Sequence, residues 1–178
     1  MHVFWAQGYK NTSLQDLLDA TCLSKSSLYH AYGSKQQLFE SAVEHYYRVF
    51  EEKMRLRLDE HKTGLGFIED FLNDTVREAE GSASRYGCFL VNIANECAQS
   101  DINIARAVSK GFGRFKALLR EAVERGVADG SICGDVDGAV AAHYLVSSMA
   151  GLRTMAKGGA QPRELRNIIA VVLSSLTT

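Results

Sequence analysis

Lys25, Ser26, Tyr29 and His30 recur at helical spacing, so a helix over these residues places an ammonium, a hydroxyl, a phenol and an imidazole on one face. Positive charge and short hydrogen-bond donors grouped this way suit phosphate oxygens and base edges. The elements that would hold such a face are legible on either side. Thr12 precedes Gln15 by three residues and Ser34 precedes Gln37 by three, each pair spaced for a capping box, and Ser24 is placed to cap a shorter helix between them. The first of these helices carries Leu14, Leu17, Leu18 and Thr21, a stripe at i, i+3, i+4 and i+7 that must bury against something. The second is only about two turns long, with Leu28 as its inward anchor, and helices of that length are not stable alone in water. An apolar helix, a tight turn and a short helix with a polar outer face describe a helix-turn-helix, whose second helix enters the major groove of DNA.

The run T-S-L-Q-D-L-L-D-A-T-C-L-S-K-S-S-L-Y-H-A-Y-G-S-K-Q-Q-L-F, residues 12–39, resembles the signature of the tetracycline-repressor (TetR) family of transcriptional regulators. The likeness is dense from about residue 8 to 50 and diffuse beyond, and L-Y followed by an aromatic and a Ser-Lys pair is its specific part. It implies an all-α chain: a three-helix DNA-binding module over residues 1–47, followed by a larger helical domain over 48–178 for effector binding and dimerisation. It also implies roles for single residues. Gln15 falls at a base or phosphate contact, where its amide can bridge adenine N6 and N7. Lys25, Ser26 and Ser27 open the recognition helix, and His30 shares its outer face. Tyr29 resembles a phosphate-contacting tyrosine, and Lys35 stands at a helix N-terminus where dipole and ammonium both favour a phosphate. The plainer readings are a solvated charge for the lysines and a cap for Gln15. Two positions depart from the pattern: Cys22 stands where a turn glycine is expected, and Ala31 where a His or Tyr is common.

The whole chain sets bounds. Its 178 residues are enough for a sizeable core, and a hydrophobic fraction of 46% with one proline suits a helical globule. No run of about 18 apolar residues is present to span a membrane, and "MHVFWAQGY" lacks the basic and apolar regions of a secretory signal, so a cytoplasmic location is expected. Cys22, Cys88, Cys97 and Cys133 contain no C-x-x-C, which argues against a zinc site or disulfide framework, and no cofactor is implied. Residues 1–50 are neutral, with Lys10, Lys25, Lys35 and Arg48 against Asp16, Asp19, Glu40 and Glu44. That balance is unfavourable for a DNA binder. Members of the family usually carry more of the first helix and a basic arm ahead of the segment matching "HVFWAQGY", so residues are expected to precede Met1 and to supply the missing charge.

Farther along, a helix is expected from Ser34 to about Glu60, broken by Gly64 and Gly66 before "FIEDFLNDTVREA". A loop spans Gly81 to Gly87, "CFLVNIANECAQ" reads as a buried helix, Asp101 is placed to cap a long helix ended by Gly130, and Asp135 to cap the next. Pro162 opens the last helix. The apolar faces of the last two helices, with Val140, Ala141, Tyr144, Leu145, Ser148, Met149 and Leu152 on one and Leu165, Ile168, Ile169, Val172, Leu173 and Leu176 on the other, resemble the family's homodimer interface. The alternative is that both complete the core of one chain. A dimer would present two recognition helices to successive major grooves of a palindromic operator.

The resemblance further implies a small-molecule effector bound among the later helices. Candidate lining residues are Phe67, Phe71, Cys88, Phe89, Asn92, Glu96, Phe112, Phe115 and His143, although core packing also accounts for the aromatics. Cys88, Asn92 and Glu96 fall at i, i+4 and i+8 as one polar strip, and a buried carboxylate requires a partner. G-C-F-L-V-N-x-x-x-E resembles a subgroup of the family. Cys88, at a helix start with Arg85 nearby, is also a candidate sensor thiol. Hydrolase, nucleotide-binding and metalloprotease motifs are all missing, so an enzyme is not expected. The competing function is a helical ligand-binding or thiol-sensing protein that has lost specific DNA binding.

Overall fold

A computed structural model describes residues 1–81, 86–97 and 101–178. Among them are nine helices and no strand: α1 (His2–Gln7), α2 (Leu14–Thr21), α3 (Lys25–Tyr32), α4 (Lys35–Glu60), α5 (Gly64–Glu80), α6 (Phe89–Cys97), α7 (Ile102–Asp129), α8 (Gly138–Lys157) and α9 (Pro162–Ser174). The chain divides into two compact units, Met1–Phe50 with Phe89–Gly111, and Glu51–Cys88 with Phe112–Thr178.

In the first unit an aromatic cluster joins the buried aliphatic side chains of the core. Phe4 meets Phe39 edge-on at 5.1 Å, and Phe89 at the start of α6 packs on Trp5 at 5.8 Å and Tyr46 at 5.3 Å. Leu17 of α2, Leu28 of α3 and Val43 of α4 are buried beside it. Only one residue of α1, Phe4, is fully buried, while Val3 and Trp5 are half-buried.

The second unit is a helical bundle in which α5 packs against α8 and α9, and α8 against α9. Its start differs from the expected break at Gly64 and Gly66. Both glycines lie inside α5, because Thr63 caps the helix by accepting from the Gly66 N–H at 3.1 Å. Gly64 is needed for closeness: a Cβ there would lie 2.2 Å from the Ala122 carbonyl oxygen and 2.3 Å from the Gly126 nitrogen on α7. The end of α4 is closed by Arg125, whose guanidinium donates to the Leu58 carbonyl at 2.5 Å and to that of His61. Asp101 caps α7 as expected, and Gly130 follows it at φ 77°. The cap of α8 is Asp137 rather than Asp135, since the Val136 N–H closes a turn onto Cys133 before the helix can begin. Pro162 takes the first position of α9.

The last two helices split the apolar faces anticipated for them. Ala141, Leu145, Met149 and Leu152 of α8, with Leu165, Ile169 and Val172 of α9, are buried within the unit. Val140, Tyr144 and Val171 stay exposed, and Val140 and Tyr144 line an apolar recess of about 380 Å³. Among the described residues no helix is long and apolar enough to cross a membrane.

An ion-pair network joins the end of α4 to α5. Arg57 reaches Asp70 and Asp74 at 2.5 Å each, Arg77 reaches the same two carboxylates at 2.9 and 2.6 Å, and His61 stands 3.3 Å from Asp70. Burial alone would raise the Asp70 pKa, but hydrogen bonds and charge from Arg57 and Arg77 outweigh it and lower the value from 3.8 to about 2. A depressed carboxyl pKa adds stability that is complete above the unfolded value and lost as pH falls through the folded one. Acid unfolding followed by circular dichroism is therefore expected to show stability declining between about pH 4 and pH 2, with part of that slope removed by Asp70→Asn. Gly64→Ala should cost about 3 kcal/mol in urea unfolding, because backbone atoms on α7 cannot step aside for the methyl group.

Candidate nucleic-acid interface

Three short-range caps and one buried leucine aim α3. Ser24, extended at φ −70°, ψ 156°, accepts from the Ser27 N–H at 3.1 Å, so it caps α3 as anticipated. Leu28 is wholly buried while Lys25, Ser26, Ser27, Tyr29 and His30 are exposed, which leaves one side of α3 polar and open. Gly33 ends the helix at φ 75°, and Ser34 caps α4 through the Gln37 N–H at 3.1 Å. The Gln37 amide oxygen meets the Ser34 hydroxyl at 3.4 Å, so this pair forms half of the expected box.

The expected box at Thr12 and Gln15 forms one residue later. Thr12 turns inward, almost fully buried, and donates its hydroxyl to the Gly8 carbonyl at 2.6 Å. Ser13 becomes the cap, with Asp16 accepting from the Ser13 N–H at 2.7 Å and donating its own N–H to the Ser13 hydroxyl at 3.1 Å. The hydroxyl and backbone bonds from Ser13 hold the Asp16 carboxyl below its ordinary pKa. Gln15, released from capping, is exposed and donates its amide to Asp19 at 2.7 Å.

Cys22 occupies the turn between α2 and α3 at φ 54°, ψ 26°, the left-handed conformation that the missing glycine would have taken easily. It is the one non-glycine residue with positive φ among those described.

Lys35, at the first position of α4, is half-buried, and its ammonium sits 4.6 Å from the centre of the Tyr9 ring. Tyr9 packs at a tilt on Phe39 at 4.7 Å, and burial, with Asp101, Cys97 and Glu40 nearby, raises its phenol pKa. Tyr9 has no counterpart among the residues expected to matter. Its contact partners lie in other helices, so nothing in its local spacing marks it. Asp16, Asp19, Glu40 and Glu44 are each engaged, by Ser13, Gln15, Gln36 and Lys110 respectively.

The residues expected around an effector belong to both units. Phe89, Asn92 and Glu96 are in the first, where Phe89 is fully buried in the aromatic cluster and Asn92 is half-buried. Glu96 accepts from the Tyr9 and Lys10 backbone N–H groups at 2.9 and 2.5 Å, so its partner is the turn between α1 and α2. The other six are in the second unit. Phe67 and Phe71 stack at 6.2 Å within its core, Phe115 is buried, and Phe112 is half-buried. His143 is exposed, not inside the bundle, because Ala141, Ala142, Leu145 and Val146 occupy the inward side of α8. Cys88 is buried and immediately precedes α6, so the polar strip with Asn92 and Glu96 begins outside the helix; Arg85, offered as its helper, lies outside the described residues. Among the described residues no group of three or more histidine, cysteine or acidic side chains is placed to hold a metal.

Residues 1–42 match the family model described as "Bacterial regulatory proteins, tetR family", and residues 64–172 match "Tetracyclin repressor-like, C-terminal domain". The chain is 30% identical over 177 residues to the uncharacterized HTH-type transcriptional regulator YezE of Bacillus subtilis (strain 168), covering 99% of this chain and 91% of that one. It is 25% identical over 174 residues to the HTH-type transcriptional repressor ComR of Escherichia coli (strain K12), covering 97% and 83%. Among solved structures, the regulator CifR, a cysteine mutant bound to 26-base-pair operator DNA, superposes with a TM-score of 0.84 at 29% identity, covering 97% of this chain and 91% of that chain.

Relaxing the left-handed cysteine gives a measurable expectation. Cys22→Gly should raise thermal stability by about 0.5 kcal/mol, the roughly 1 kcal/mol conformational cost being partly offset by the extra chain entropy of glycine. A melting temperature equal to or below that of the parent would show that the turn carries no such strain.

Proposed function

The chain belongs to the tetR family of bacterial regulatory proteins, transcriptional regulators and not enzymes, and from that premise we propose that it is a dimeric, cytoplasmic repressor of a palindromic operator, released by a small-molecule effector. The observation that carries this reading is the exposed polar side of α3, fixed from behind by Leu28 and from its start by Ser24. Residues 1–47 read the DNA and residues 48–178 serve effector binding and dimerisation.

Within the first part, Lys25, Ser26 and Ser27 enter the groove at the start of the recognition helix, with Gln15, Tyr29, His30 and Lys35 as flanking contacts. Residues 1–50 carry no net charge, but Lys25 is exposed on the outer side of α3, and Glu44 is paired with Lys110 at 3.4 Å. ComR is described as a repressor, which favours that sign of control here as well.

The exposed Val140, Tyr144 and Val171 support dimerisation through α8 and α9, since burying apolar side chains left open on one chain favours a second copy. An effector bound to one of two states shifts the population toward it, and so competes with operator DNA. Phe67, Phe71, Cys88, Phe112, Phe115 and His143 of the second unit, and Phe89, Asn92 and Glu96 of the first, are the candidates for sensing it, directly or through packing.

Selection of bound fragments from a genomic library, followed by affinity measurements across salt concentrations, tests the assignment. A palindromic site and a linear fall of log affinity with log salt are expected, with Lys25→Ala weakening binding about tenfold and reducing the slope by about 1. Weak binding blind to sequence would instead favour a helical ligand-binding protein without an operator.

A further inference from the structure

Helix α6 grips the DNA-reading module at both of its ends, and the grip at its C-terminal end is a carboxylate. At its first residue Phe89 packs on Trp5, Tyr46 and Phe39. At Glu96, one carboxylate oxygen accepts the Tyr9 N–H at 2.9 Å and the other the Lys10 N–H at 2.5 Å. The two N–H groups lie just ahead of α2, in a turn with little regular structure to satisfy them.

That turn is shaped for the carboxylate. Gly8 adopts φ 83°, and a Cβ at this position would lie 2.5 Å from Glu96 Oε2. A side chain there would be disfavoured by the positive φ and would push the Glu96 carboxylate from its place. The same turn is pinned from its other side by the Thr12 hydroxyl on the Gly8 carbonyl and by the Asn11 amide on that of Gln7.

Holding the Tyr9 backbone fixes the Tyr9 ring, and the ring carries Lys35. It packs against both Phe39 at 4.7 Å and Phe4 at 6.2 Å, with the Lys35 ammonium 4.6 Å from its centre. Lys35 has four freely rotating methylenes, so without such a seat its charge would sample many positions relative to a phosphate. We propose that Glu96 is a positioning residue for DNA binding: its carboxylate, through the Tyr9 and Lys10 N–H groups, seats Tyr9 so that Lys35 meets a phosphate of the operator. The proposal rests on the operator-binding function given above and adds a residue, from outside the helix-turn-helix, that sets one of its contacts.

A double-mutant cycle on the full chain tests it, alongside amide hydrogen exchange without DNA. Glu96→Ala is expected to weaken operator binding about tenfold and make the salt slope shallower by about 1, as loss of one phosphate contact does. Lys35→Ala added to Glu96→Ala should cause little further loss, whereas Lys25→Ala should multiply with it. The Tyr9 and Lys10 amides should be protected in the parent and exchange faster in Glu96→Ala, and in Glu96→Gln the amide that loses its acceptor should do so alone. An unchanged salt slope in Glu96→Ala, or multiplying losses with Lys35→Ala, overturns the positioning role. If Glu96→Ala does not fold, Glu96→Gln carries the same cycle. A parent protein that binds no DNA with a salt-dependent affinity overturns the operator-binding reading and this role with it, even where both amides are protected; a parent that binds while both amides exchange freely overturns the Glu96 role alone.

Discussion

An eight-residue helix has too few internal hydrogen bonds to persist in water, and α3 has eight residues. Everything around it follows from that shortage. Leu28 is buried completely, so rotating α3 on its axis would expose a leucine at a cost of about 2 kcal/mol. Ser24 holds its first turn and Gly33 its last, which fixes where the helix begins and stops. The polar side is left outward by elimination, since the one apolar side chain long enough to anchor the helix points the other way.

The supports reach beyond the helix-turn-helix itself. Phe39, Tyr46, Trp5 and Phe4 come from α1 and α4, but Phe89 and Glu96 come from α6, so the compact unit containing α3 also contains Phe89–Gly111. Aromatic rings suit this role because a few of them bury a large apolar area beside aliphatic side chains such as Leu17 and Leu28. Electrostatics in this unit is local. Formal charges cancel over residues 1–50, with Asp16 held by the cap at Ser13, Glu44 beside Lys110, and Lys25 exposed on α3.

The second unit solves a different problem, that of packing long helices closely. Gly64 lets α5 touch the backbone of α7, and Arg125 closes the end of α4 by binding the carbonyl groups of Leu58 in its last turn and His61 just beyond it. Arg57, Asp70, Asp74 and Arg77 form a ring of alternating charge in which each arginine meets both aspartates. Arg153 is almost fully buried and donates to Glu78 at 2.9 Å, and burial raises the Glu78 pKa although Arg153 opposes it. Such a pair adds little net stability, but removing either partner would leave the other uncompensated.

Helix type, helix order and the exposed side of α3 were determined by the sequence itself, because they rest on caps and apolar spacings that operate within three or four residues. Ser24, Leu28, Asp101 and Pro162 stand where local chemistry placed them. Where two local solutions lay one or two residues apart, the fold chose between them: Ser13 caps α2 because Thr12 is drawn inward, and Asp137 caps α8 because a turn at Val136 comes first. The need of Glu96 for a partner was legible as a carboxylate on an apolar helix, but the partner was not. It lies 87 residues away in the turn at Tyr9, and no spacing along the chain encodes such a contact. The seat of Lys35 on Tyr9 and the approach of Gly64 to α7 were likewise settled only by tertiary structure, since each depends on which surfaces meet once the helices pack.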